Sequence, residues 1–191
     1  MQNTTNLRLI NIYKRSFDFF YNEKNNIQHK SKHWMRYNMK KFNIQNLENF
    51  RKNGELSGGL DDANNKVSFE LFSEMVNEIS EEYIINNSPK KNIGNGNHLI
   101  RFKDVFIDYN KLIHIHWLWT LENKISRMKQ IRTICEIGGG FGSFIELFIR
   151  NYNCKVFLID LPEANLMSTY YLQENFPKKN FFLFSDYEKK K

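Results

Sequence analysis

The sequence predicts an α/β chain in two parts: a mainly helical region over residues 1–100, then, over residues 101–191, the first strands and helices of a doubly wound parallel sheet. Three observations carry this. A short apolar run from Ile131 to Ile137 ends in glycines at alternate positions, Gly138, Gly140 and Gly142. A helix-period segment with Phe144, Ile145, Phe148 and Ile149 follows at once. Strand-like and helix-like runs then alternate in the β-α-β-α-β order of a parallel sheet, whereas apolar residues before about position 100 recur at three- and four-residue intervals.

Hydrophobic residues make up 41% of the 191 and aromatic ones 15%, enough for a core and against wholesale disorder. The net charge of +7 permits anionic partners. Basic residues are spread along the chain, however, and the one local run is Lys189 to Lys191, so the excess reads as solvated surface and no nucleic-acid partner is expected. Cys135 and Cys154 fall near opposite ends of two adjacent parallel strands, too far apart to bridge, and are expected as small buried residues in a reduced compartment. The first residues lack the pattern of a signal peptide, and the greasiest window, Leu112 to Leu121, is too short to span a bilayer. A cytoplasmic protein without a membrane partner is the expectation.

Taken in order, Ile10, Tyr13, Phe17 and Phe20 form an amphipathic stripe, and Trp34, Tyr37 and Phe42 a looser one. Residues 48–62, with Gly54, Gly58 and Gly59 among Asn, Ser and Asp, read as a loop, either a connector or a substrate lid. Phe69, Phe72, Val76, Ile79 and Tyr83 form the cleanest helical stripe of this half, closed by a polar, glycine-containing stretch over 86–97. Asp108 is placed to cap a helix over 109–124, with Leu112, His116, Trp119 and Ile113, Trp117, Leu121 as adjoining apolar rows. In a helix His114 and His116 point apart and cannot share a metal ion, so no metal site is expected. Strands follow at 132–137, 155–160 and 180–185, with helices at 142–152 and 163–175. Pro162 suits the first turn of the second of these helices.

The glycine turn needs a ligand that approaches backbone closely. A dehydrogenase fingerprint wants a third glycine, and that place holds Ser143 or Ile145 depending on the register. Asp160, ending the second strand, falls near the interval of about 20 residues at which an acid meets ribose hydroxyls. Asp186 follows the third strand. Glu136-x-Gly138-x-Gly140-x-Gly142 looks like the first motif of the S-adenosylmethionine-dependent methyltransferases, in which an acid after the third strand commonly meets the adenine amino group.

Longer matches are more particular. Ile134-Cys135-Glu136-Ile137-Gly138-Gly139-Gly140-Phe141-Gly142, Leu158-Ile159-Asp160-Leu161-Pro162-Glu163 and Tyr170-Tyr171-Leu172 resemble the putative sugar O-methyltransferase family. Asn49-Phe50-Arg51 and Leu56-Ser57-Gly58-Gly59-Leu60-Asp61-Asp62 resemble its N-terminal segment. The resemblance implies a Rossmann-like methyltransferase sheet, S-adenosylmethionine as cofactor and a sugar or glycan hydroxyl as acceptor. Glu136, Gly138, Gly140, Gly142 and Asp160 would bind the cofactor, with Asp186 at the adenine, and no catalytic residue carries over. The implied sheet continues beyond a third strand. The expectation is therefore a truncated copy or one piece of a split protein, with a complementing C-terminal segment or a second copy as partner. The rivals are a non-catalytic cofactor-binding fragment, a nicotinamide-dependent oxidoreductase and a nucleic-acid methyltransferase.

Overall fold

The computed structural model describes residues 44–52 and 65–181, together with Asn11. The expected stripes over residues 10–20 and 34–42, most of the glycine-containing loop at 53–62, the body of the expected third strand and Asp186 lie outside the described residues. Those described form a mixed α/β structure with one antiparallel and one parallel two-stranded sheet. The elements are a 3-10 turn (Ile44–Asn49), α1 (Asn65–Glu78), α2 (Glu81–Asn86), β1 (Ile100–Phe102), β2 (Val105–Ile107), α3 (Tyr109–Lys124), a second 3-10 turn (Met128–Gln130), β3 (Thr133–Ile137), α4 (Ile145–Asn151), β4 (Lys155–Ile159) and α5 (Pro162–Asn175).

The stripe expected to make one helix from Phe69 to Tyr83 makes two. Ser80 takes a φ of 105°, and its hydroxyl accepts the Tyr83 N–H at the start of α2. A capping serine thus satisfies one orphan amide and starts a second helix. The buried line of the first piece runs through Ser68, Phe72, Met75 and Ile79, which leaves Phe69 on its flank and 58% exposed. Phe72 meets Phe102 of β1, ring centroids 4.9 Å apart.

The β1–β2 hairpin was not expected. Its strands are three residues each, too short to show a period of two, and the connection Lys103–Asp104 carries no glycine. Lys103 instead takes a φ of 53°, a left-handed residue suited to a tight hairpin turn. The Phe106 N–H donates to the Pro89 carbonyl at 2.8 Å, which ties the hairpin's outer edge to the loop after α2.

α3 spans the expected residues, and the Asp108 carboxylate accepts the Lys111 N–H as its cap. Its buried face differs from either expected row: Lys111, Leu112, Ile115 and Leu118 face inward while Trp117 is exposed. The helix is apolar on several sides, so period alone cannot select the face.

β3 and β4 pair in parallel, Thr133 opposite Lys155 through Ile137 opposite Ile159, with α4 as the crossover. α4 begins three residues later than expected because Gly142, at a φ of 86°, is still in the turn. Pro162 opens α5 as expected. Ile134, Val156 and Leu158 turn one sheet face onto the core. The other face is bare: Ile137 is 81%, Phe157 55% and Ile159 56% exposed, and Cys135 beside them is exposed rather than buried as expected. Both cysteines are free. Among the described residues no helix is long and apolar enough to cross a membrane.

The packing between α3, α4 and α5 is closed by charge. Lys111 Nζ donates to Glu146 Oε2 at 2.6 Å and to the Ser143 carbonyl at 2.7 Å, and the Tyr171 hydroxyl donates to the same Glu146 oxygen at 2.8 Å. Arg150 pairs with the other carboxylate oxygen. Burial alone would raise the Glu146 carboxyl, but Lys111 and Arg150 outweigh it and hold the group below its ordinary range.

Candidate functional site

β3 delivers its last residues into a turn that only glycine adopts without strain. Gly138, Gly140 and Gly142 have φ of 75°, 56° and 86°. A side chain in that region costs about 1–2 kcal/mol per residue. Each of the three amides is engaged: Gly138 N–H donates to the Ile159 carbonyl at 2.9 Å, Gly142 N–H to the Gly139 carbonyl at 2.9 Å, and Gly140 N–H to Asp160 Oδ2 at 2.8 Å.

The glycines differ in what surrounds them. A Cβ on Gly138 or Gly140 would meet nothing within 4 Å, so their backbone borders open space. A Cβ on Gly142 would lie 3.3 Å from Ser168 Cβ and 3.4 Å from Leu172 of α5, so this glycine serves close packing of turn and helix. A Cβ on Gly139 would fall 2.7 Å from Leu158 Cδ1 and 2.8 Å from Glu136 Cδ.

Two carboxylates flank the open stretch. Asp160, just past β4, accepts the Gly140 N–H on one oxygen and its neighbour's amide, Leu161 N–H at 2.7 Å, on the other. Each oxygen keeps a lone pair for a ligand hydroxyl. Asn165 Nδ2 donates to the Asp160 carbonyl at 2.8 Å and fixes the backbone there. Glu136, in β3, carries a buried Oε2 with no hydrogen-bond partner. Burial pushes its carboxyl above the ordinary range and the Asp160 charge adds to this, against the opposing pull of the Ile145 amide and Lys111. A buried carboxylate oxygen without a donor is costly, and a ligand donor would relieve it.

No family model, curated protein or solved structure matches the chain.

The expected residues Glu136, Gly138, Gly140 and Asp160 are brought around one stretch of backbone, with Gly142 behind it. His114 and His116 diverge along α3, the first against the rings of Phe144 and Trp117 at 5.5 and 5.3 Å, the second 3.6 Å from Glu78. Burial, with the Lys111 charge adding, pushes His114 down to about 4. Among the described residues no group of three or more His, Cys, Asp and Glu could hold a metal ion.

Residues that the sequence reading did not connect with the site stand directly behind the turn. Phe141, between Gly140 and Gly142, is buried against Phe50 at 5.6 Å and Tyr171 at 5.1 Å between centroids. The Arg51 guanidinium lies 4.9 Å above its ring and pairs with Asp108 at 2.8 Å. No local pattern announces these contacts, since Arg51 and Asp108 are 57 residues apart.

The glycines make separable predictions. Gly140→Ala will cost about 1–2 kcal/mol from φ alone, with Glu136 undisturbed. Gly139→Ala will instead push the Glu136 carboxyl aside, and its raised pKa will fall back toward the ordinary carboxylate value of about 4.3 as it meets water. Carbon-detected NMR titration of Glu136 in both variants checks this; an unchanged titration in Gly139→Ala would refute the contact.

Proposed function

We propose that the chain binds S-adenosylmethionine at the glycine turn, as part of a Rossmann-like methyltransferase sheet, and serves methyl transfer to a sugar hydroxyl. The observation that carries the cofactor reading is the open backbone at Gly138 and Gly140 between two carboxylates, one holding a partnerless buried oxygen. Glu136 would take the ammonium end of the methionine moiety, and the remaining lone pairs of Asp160 the ribose hydroxyls. When bound, the sulfonium supplies an already activated methyl group. The protein's part is then to hold acceptor and cofactor in line, with water kept out. The sugar acceptor rests on the longer sequence resemblance. Ser143, in place of the third glycine of the dinucleotide fingerprint, argues against a nicotinamide cofactor.

The bare sheet face at Ile137, Phe157 and Ile159 favours a second reading, a cofactor-binding piece that acts only when further polypeptide or a second copy covers that face. Parallel sheets are ordinarily buried on both sides.

Calorimetric titration with S-adenosylmethionine and, separately, with NAD distinguishes the cofactor classes. Saturable binding of the first and none of the second is expected. Affinity should also decline as pH falls through the raised Glu136 value, above the ordinary carboxylate range, because only the ionised group holds an ammonium. Binding of NAD alone, or of neither, would overturn the cofactor reading. Methyl transfer to sugar acceptors by the isolated chain would set aside the second.

A further inference from the structure

We propose that Arg51 is a positioning residue for the glycine turn, holding the turn's shape through Phe141. The inference rests on the reading of that turn as the ligand site and adds what keeps it ready. Three left-handed glycines in five residues are an entropic liability, since glycine loses more conformational freedom on ordering than any other residue. The turn needs an anchor, and its one large side chain is Phe141, 7% exposed.

The anchor is built from far along the chain. Phe50 and Tyr171 meet the Phe141 ring from two sides, and the Arg51 guanidinium covers it at 4.9 Å. Arg51 is itself held by both its side chain and its backbone. Its side chain pairs with Asp108 at 2.8 Å, both groups nearly fully buried. Its amide donates to the Gly94 carbonyl at 2.8 Å. The loop of Gly94 and Gly96 leaves room for it, because a Cβ at Gly94 would fall 2.8 Å from Arg51 Cγ and one at Gly96 3.2 Å from its guanidinium carbon.

Asp108 joins this anchor to the far side of the turn. Its second oxygen accepts the Lys111 N–H, and Lys111 Nζ donates to the Ser143 carbonyl immediately after Gly142. The turn is thus gripped at Phe141 and at Ser143 by two groups that share one carboxylate. The open side at Gly138 and Gly140 is left for a ligand. A flat guanidinium suits this place because its plane can lie on a ring while its edge donates to a carboxylate; a compact lysine ammonium has no such plane.

The test compares Arg51→Lys and Phe141→Leu with Phe72→Leu, a core change at α1 away from the turn. Amide hydrogen exchange is followed by NMR at Gly138, Gly140 and Gly142 and, for reference, along α1. Arg51→Lys and Phe141→Leu should speed exchange at the three glycines by about tenfold more than in α1, as local opening does. Phe72→Leu should not. Affinity for S-adenosylmethionine should fall about tenfold in the first two variants and stay near wild type in the third. Exchange that rises uniformly in all three would mean a purely structural role and would overturn the proposal. Failure of the wild type to bind S-adenosylmethionine would overturn the functional reading alone, with the exchange comparison still deciding the role of Arg51. Should Phe141→Leu not fold, Arg51→Lys carries the test.

Discussion

Lys111→Met will destabilise the protein by about 3 kcal/mol in urea unfolding, the lower part of the range for breaking a buried ion pair. Glu146 is fully buried, and Lys111 contributes both a 2.6 Å hydrogen bond and a charge to it. Tyr171 and Arg150 remain as partners, which keeps the loss from being larger. The same substitution also leaves the Ser143 carbonyl without its Lys111 donor. Adding Glu146→Gln should recover at least half of the loss, because a neutral amide has no charge to strand and still accepts from Tyr171. No recovery in the double variant would show that lost packing, not an uncompensated charge, is the cause.

The pH dependence follows with a definite sign. The Glu146 carboxyl is held below its ordinary range in the folded protein, so the stability it contributes is present above the unfolded carboxylate value of about 4.3. That stability is lost as pH falls through the depressed folded value. Lys111→Met removes the largest charge holding that value down, so the penalty of the substitution should shrink as pH falls and Glu146 takes up a proton, as it does with Glu146→Gln.

Asp160→Ala is expected to weaken S-adenosylmethionine binding by about 2 kcal/mol, roughly thirtyfold, from lost hydrogen bonds to an ionised group. The variant acts twice. It removes the oxygens available to ribose hydroxyls, and it leaves Gly140 N–H and Leu161 N–H without their acceptor. Asp160→Asn separates the two effects, since its amide oxygen can still accept one of those N–H groups while the charge is gone. Affinity intermediate between wild type and Asp160→Ala is the expected calorimetric result. Unchanged binding in Asp160→Ala would remove Asp160 from the site.

Where the fold was legible, the signal was local. The order Ile131–Ile137, alternate glycines, then Phe144–Ile149 marks a strand, turn and helix because each piece has its own period and punctuation. Asp108 as a cap and Pro162 at a first turn were readable for the same reason: each acts on amides within one helical turn of itself. The β1–β2 hairpin was missed because its three-residue strands are too short to display a period of two, and the split at Ser80 because the apolar spacing continues across it. Of the candidate site, the glycines, Glu136 and Asp160 were visible as a spacing, whereas the partnerless oxygen on Glu136 is a property of packing.

By itself the sequence determined the βαβ unit, its glycine turn and the two carboxylates beside it, since periodicity, steric freedom at positive φ and short spacings are all written in neighbouring residues. Tertiary structure alone decided which face of α3 is buried, that Lys111 and Glu146 share a closed interior, and that Phe50 and Arg51 clasp Phe141. Those depend on groups tens of residues apart meeting where water is excluded, and their worth exists only once the chain has brought them together.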